Sequence, residues 1–175
     1  LVGPAVRDEH ARQMADLAQL RDLFVYDCPQ VTARGFDRLA SCQRLESLHG
    51  EIPLEAAHLR DLPASVRELS LLELSCGDEG VAALHGRRLE RLDLTGTQHP
   101  LDTAALGLVV ESLSTLRELC LVDLGRLKVD LLRRLPASLQ TLNLARASAG
   151  SLDWVLRLTD LEELRMEHPI GLSSS

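Results

Sequence analysis

The segment LPASVRELSL at residues 62–71 returns with few changes as LPASLQTLNL at residues 135–144. The last six residues of each segment follow the pattern LxxLxL, in which Val or Met can replace Leu. The pattern starts at residues 20, 66, 89, 116, 139 and 161, and a degenerate copy at residue 45 has Gly50 in its last apolar position. Successive starts are 21 to 27 residues apart. This regular spacing predicts a chain built from about seven structural repeats.

Each LxxLxL copy ends in an alternation of polar and apolar residues, which is typical of a short β-strand with one buried face. A single strand of this length is not stable, so the copies should stack as a parallel sheet over one leucine core. We therefore expect Leu94, Leu121 and Leu144 in one buried column. Residues 69–74, LSLLEL, allow a shift of three residues, but the shared LPAS phrase places the start at Val66.

The segments between strands must cross the other side of the sheet, and several have helical character. The sequence predicts helices over residues 32–40, 77–84, 101–113 and 151–158. In the last of these, Leu152, Val155 and Leu156 have the spacing of one buried stripe. Pro53 and Pro63 predict an irregular or 3₁₀ return between residues 45 and 66. We further expect an N-terminal capping helix in residues 1–19, repeats in residues 20–168 and a polar tail in residues 169–175.

The first full repeat, LRDLFVYDCPQVTARGFDRLASC at residues 20–42, resembles the cysteine-containing leucine-rich repeat, LxxLxLxxCxxITDxGLxxLAxxCxxL. The corresponding residues are Leu20, Leu23, Val25, Cys28, Val31, Thr32, Gly35, Leu39, Ala40, Cys42 and Leu45. Later repeats resemble only the general leucine-rich repeat. The resemblance implies an α/β solenoid of horseshoe shape, with a parallel sheet on the concave face and helices and irregular returns on the convex face. Proteins with this repeat are often substrate-recognition arms of F-box ubiquitin ligases, or pathogen effectors that mimic them.

Composition argues against several functional classes. The net charge of −7 is unsuitable for a surface that neutralises nucleic-acid phosphates. No run of 18 apolar residues is present, so we expect no membrane span. The four cysteines form no CxxC pair, which predicts reduced, mostly buried thiols, no structural zinc and a cytoplasmic location.

We find no constellation of residues that predicts catalysis. The six histidines lack metal-ligand spacing, and no GxSxG elbow, phosphate-binding loop or GxGxxG motif is present. Cys120 is expected at an outward strand position, but no base partner for it can be identified. We therefore expect neither an enzyme nor a cofactor or metal.

The predicted concave face is acidic. The third, fifth and seventh residues of the seven repeats include seven acids, Glu167 among them, and two arginines, a net charge of −5. Phe24 and Tyr26 are two residues apart and therefore point to the same face, where aromatic rings commonly anchor partners. The predicted partner-binding residues are Asp22, Phe24, Tyr26, His49, Glu51, Glu68, Arg91, Asp93, Glu118, Glu163 and Arg165. Two alternatives remain open, that the acids only keep an exposed sheet soluble and that the N-terminal helix covers both rings.

These observations favour a non-enzymatic protein–protein interaction module. Its expected partner is another protein with a basic or mixed basic-apolar segment, or a further domain of the same polypeptide, and neither nucleic acid nor a membrane. One alternative is the substrate-recognition arm of a ubiquitin-ligase component or effector mimic. Its ligase-docking part would lie outside this chain, because residues 1–175 hold no F-box-like segment. Another is an assembly factor that packs through its C-terminal edge.

Overall fold

Seven short strands form a single, all-parallel sheet in which the strand order follows the chain order. The computed structural model describes residues 1–72, 76–96, 101–124, 127–146 and 152–166. Each strand begins at the third residue of one LxxLxL copy, so the repeat unit of the sequence is also the unit of the sheet. The strands are β1 (Asp22–Val25), β2 (Ser47–Gly50), β3 (Glu68–Leu71), β4 (Arg91–Asp93), β5 (Glu118–Cys120), β6 (Thr141–Asn143) and β7 (Glu163–Arg165).

The register of the sheet agrees with the predicted register. The third residues of all seven repeats are directly paired across the sheet: Asp22, Ser47, Glu68, Arg91, Glu118, Thr141 and Glu163. The start at Val66 is thus confirmed, and a three-residue shift would break this pairing. The expected buried column is confirmed too, because Leu94, Leu121 and Leu144 are each 0% exposed.

A second layer covers one side of the sheet. It contains α2 (Ala56–Arg60), α3 (Gly77–Ala82), α4 (Thr103–Ser112), α5 (Val129–Arg133) and the 3₁₀ helix Asp153–Arg157. These elements contact one another in chain order, as the strands do. The leucines of the strands and the apolar residues of the helices form one continuous core between the layers. The architecture is therefore a two-layer, solenoid-like α/β fold. Among the described helices none combines the length and the apolar character that crossing a membrane requires.

Several return segments differ from the prediction. The return between residues 45 and 66 contains an α-helix, α2, because Pro53 and Pro63 flank Ala56–Arg60 and do not interrupt it. The segment 32–40 forms two 3₁₀ helices, Ala33–Phe36 and Leu39–Ser41, in place of one α-helix. The helix α5 has five residues and was not predicted.

The stripe predicted for residues 151–158 is wrong. Leu156 is 84% exposed and Leu152 is also exposed, whereas Trp154 and Leu158 are buried. The segment forms a 3₁₀ helix, Asp153–Arg157, which does not keep the α-helical face assumed in the prediction. Burial of the large indole ring removes more apolar area from water than burial of Leu156 would, and this favours the observed orientation.

Gly50 explains why the second repeat departs from the pattern. Its φ of +126° lies in the region that favours glycine, and a Cβ at this position would lie 1.9 Å from the carbonyl oxygen of Val25. A leucine therefore cannot occupy the last apolar position of this repeat. Ile52 and Leu54 are buried just beyond it and add apolar side chains to the core.

The N-terminal segment pairs with the first repeat. Its helix, α1 (Asp8–Met14), occupies part of the predicted span 1–19 and contacts the 3₁₀ helix Ala33–Phe36. The Asp8 carboxylate accepts hydrogen bonds from the backbone N–H and the hydroxyl of Thr32, at 2.6 and 2.8 Å. Leu1 lies beside the end of β1, because the N–H of Tyr26, the residue after β1, donates a hydrogen bond to the Leu1 carbonyl at 3.0 Å. The predicted tail, residues 169–175, lies outside the described residues.

Candidate partner-binding face

The side of the sheet opposite the helices is not covered by any described element, and we call it the open face. It is formed by the third and fifth residues of each repeat, with the seventh residues just beyond the strands. The pairing of the strands brings nine of the eleven predicted partner-binding residues into adjacent rows on this side, and the other two, Tyr26 and Glu51, directly follow β1 and β2. Glu167, which was counted as a further acid of this face, lies outside the described residues.

An aromatic stack lies at the β1 end of the open face. Phe24 on β1 is directly paired with His49 on β2, and their rings are stacked with centroids 4.9 Å apart and planes at 10°. Phe24 nevertheless remains 49% exposed, and Tyr26 is 36% exposed. The helix α1 packs against the 3₁₀ helix Ala33–Phe36 and leaves both rings accessible.

His49 is a neutral ring at pH 7. Burial lowers its pKa from the usual value, and this effect exceeds the opposing effect of Glu68, whose Oε2 lies 3.7 Å from Nε2. Arg91 lowers the pKa further, while Asp22 and Asp93 raise it by smaller amounts. The stack on Phe24 is therefore a contact between two uncharged rings.

The other end of the open face holds a polar cavity of about 360 Å³ between β4 and β7. Two ion pairs flank it. Arg91 Nη1 lies 3.0 Å from Glu118 Oε2, and Arg165 Nε lies 2.6 Å from Glu163 Oε1. Both arginines of the open face are thus paired with carboxylates of the same face, which leaves this end close to neutral.

Asp93 has an internal role that the sequence analysis did not assign. Its Oδ1 accepts hydrogen bonds from the N–H and the hydroxyl of Thr95, at 3.0 and 2.5 Å. Asn143 Oδ1 accepts from the N–H of Ala145 at 3.0 Å in the same way. The signal was present, because an Asp or Asn at the end of a strand commonly binds the backbone two residues further on. These two side chains stabilise the turns at residues 95–96 and 145–146, directly after β4 and β6.

Cys120 does not have the surroundings of a reactive thiol. Burial raises its pKa, and the nearby carboxylate of Asp93 raises it further. The Thr95 hydroxyl lies 3.5 Å from its Sγ. The thiol is therefore protonated at pH 7 and is not a good nucleophile. Among the described residues no group of three or more His, Cys, Asp or Glu side chains could hold a metal ion.

The unpaired negative charge of the open face lies around the aromatic stack. Within the described part of the chain, Asp22 and Glu51 form no ion pair, and Glu68 lies between the neutral His49 and Arg91, whose guanidinium pairs with Glu118. The eleven described candidate residues include six acids and two arginines, a net charge of −4. Most of this charge borders Phe24 and Tyr26, since Glu118 and Glu163 are neutralised by arginines.

Comparisons of the chain with protein-family models and with curated proteins found no match.

Proposed function

We propose that this chain is a leucine-rich repeat protein of horseshoe shape that acts as a non-enzymatic protein–protein interaction module through its acidic open face. Three observations support the proposal: the repeat spacing of 21 to 27 residues, the seven parallel strands in chain order, and the resemblance of residues 20–42 to a cysteine-containing repeat. The free cysteines suit the cytoplasm, a compartment in which thiols stay reduced.

The observation that carries the proposal is the exposed aromatic pair on the open face. Phe24 and Tyr26 lie on the sheet surface next to carboxylates that have no cationic partner in the described structure. An aromatic ring that a partner covers can contribute about 2 kcal/mol or more to binding. Negative charge around such an anchor favours a partner segment that carries arginine or lysine beside an apolar residue.

A peptide-display selection on the purified protein tests this proposal, because such a selection requires no identified partner. We expect the selected peptides to combine basic and apolar residues. Replacing both Phe24 and Tyr26 by Ala should weaken their binding about 30-fold in calorimetry, which corresponds to about 2 kcal/mol. Leu156→Ala is the matched control, because it also removes an exposed apolar side chain but lies on the helical side.

The proposal fails if the selected peptides lack basic residues, or if they bind the double variant as tightly as the wild type. Circular dichroism must show that the double variant is folded. A double variant that unfolds would mean that the two rings stabilise the fold, and this result would also count against the proposal.

We propose as an alternative that the chain is the substrate-recognition arm of a ubiquitin-ligase component or of an effector mimic. The observation that favours it is the burial of Cys28 and Cys42 in the first repeat, at the cysteine positions of the repeat found in such proteins. Co-purification of the full-length protein with ubiquitin-ligase subunits, and ubiquitination of a protein bound to the open face, would support this alternative. Absence of both would contradict it.

A further inference from the structure

A groove of about 740 Å³ lies on the helical side, between α4, α5 and the 3₁₀ helix Asp153–Arg157. Beside the groove, Gly107 lets α4 and α5 approach each other closely. A Cβ on Gly107 would lie 3.0 Å from Cδ of Arg134 and 3.6 Å from Cα of Leu131. The aliphatic part of Arg134 therefore lies close to α4, and the Arg134 guanidinium pairs with Glu111 on the same helix.

The groove has an exposed apolar side chain that a partner could cover. Leu108 on α4 lines it and is 55% exposed. Ala104 is one helical turn earlier and lines the same groove. Thr103, at the start of α4, also lines the groove. Its hydroxyl oxygen is buried beneath the groove surface and has no hydrogen-bond partner among the described residues.

The charge of the groove is opposite to that of the whole chain. Its lining includes Arg133, Arg134 and Arg157, against Glu111 and Asp130. The Glu111–Arg134 pair is neutral, so the lining has a net charge of +1 in a chain of net charge −7. This local positive charge favours an acidic ligand in the groove over one on the open face.

We propose that this groove is a second docking site, which binds an acidic amphipathic helix of a partner protein. The ten residues of α4 span about 15 Å, the length of a matching segment of roughly ten helical residues. Apolar residues of the partner spaced i, i+4 and i+7 would cover Leu108 and the groove floor, and its carboxylates would face Arg133 and Arg157. This site does not depend on the function proposed for the open face.

The probe for the test is a fluorescein-labelled peptide of about 14 residues with leucines at i, i+4 and i+7 and glutamates at most other positions. The same peptide with lysines in place of glutamates is its control. We expect the acidic peptide, and not the lysine peptide, to bind in fluorescence anisotropy. Its affinity should fall as salt is raised, because charge pairs at a groove rim are screened.

Two variants locate the site. Arg133→Glu combined with Arg157→Glu, and separately Leu108→Asp, should each weaken the acidic peptide about tenfold or more. Arg60→Glu combined with Arg88→Glu changes the net charge by the same amount at positions outside the groove lining, and it should bind like the wild type. Thermal melts followed by circular dichroism identify any variant that is unfolded. If either the double arginine variant or Leu108→Asp unfolds, the peptide affinity of the other one is the test of the site.

Equal binding of both peptides, or no binding of the acidic one, would overturn the proposal. So would loss of binding in the double alanine variant of Phe24 and Tyr26, because the probe would then lie on the open face. Sedimentation equilibrium without peptide tests the other possible occupant of the groove, a second copy of this chain. A dimer that the Arg133 and Arg157 substitutions abolish would show that a second copy of the chain fills the groove, which would also overturn the proposal.

Discussion

Leu121→Ala tests the repeat register at the centre of the core. Leu121 follows β5 and is fully buried between the equally buried Leu94 and Leu144 of the adjoining repeats. Replacement by alanine leaves a gap that cannot be filled by either neighbour without moving its own strand. The substitution therefore tests whether the leucine column stabilises the fold.

The expected loss follows from the atoms removed. The change deletes three carbon atoms, worth about 2.4 kcal/mol at roughly 0.8 kcal/mol each. The cavity adds to this, and measured losses for buried Leu→Ala changes are about 2–5 kcal/mol. We expect a loss of about 3 kcal/mol in the free energy of unfolding, which lowers the Tm by roughly 6–12 °C in a domain of this size.

Urea denaturation and a thermal melt of the wild type, Leu121→Ala and Leu156→Ala measure the effect. Leu156→Ala deletes the same atoms from a side chain that is 84% exposed, so its stability should change by less than about 0.5 kcal/mol. A Leu121→Ala variant as stable as the Leu156→Ala control would refute the register and the core that depends on it.

Three further predictions concern the N-terminal segment, the glycines and the thiols. The hydrogen bonds from Thr32 lower the pKa of the Asp8 carboxyl. The N-terminal segment should therefore stay docked down to about pH 4 and be released as the pH falls through that lowered pKa. The NMR chemical shift of the Thr32 amide would report this release. Gly50→Ala should cost more than about 3 kcal/mol in urea denaturation, whereas Gly86→Ala, with a positive φ but open space around it, should cost about 1 kcal/mol. Cys120, which is partly exposed, should be alkylated by iodoacetamide before the two buried cysteines of the first repeat, as peptide mass spectrometry would show.

The strands and their register could be predicted because the pattern LxxLxL repeats seven times. A single copy would be ambiguous at residues 69–74, but the shared LPAS phrase removes the ambiguity at Val66. The same period of two correctly placed Phe24 and Tyr26 on one exposed face. The alternation of polar and apolar residues along each strand determines these features, and it can be read directly from the sequence.

The helical side was predicted less well because its elements are short and depend on their neighbours. The five-residue helices α2 and α5 have too few residues to be stable alone, so packing against the adjoining returns decides their conformation. The orientation of Trp154 likewise depends on the core residues that it packs against, which lie elsewhere in the sequence. On the open face, the neutralisation of Glu118 by Arg91 depends on two side chains 27 residues apart, which only the paired strands bring together.

The strand order also has a mechanical consequence. In the described sheet each strand is hydrogen-bonded only to the strands that precede and follow it in the chain, so no bond ties distant turns together. A force that pulls the two ends apart would detach one turn after another, and a force–extension trace would rise and fall in small, similar steps. Leu164 of β7 is 36% exposed, whereas its neighbour Leu142 is fully buried. The β7 strand therefore buries less apolar surface at this position than its neighbour does, and we expect its turn to yield first.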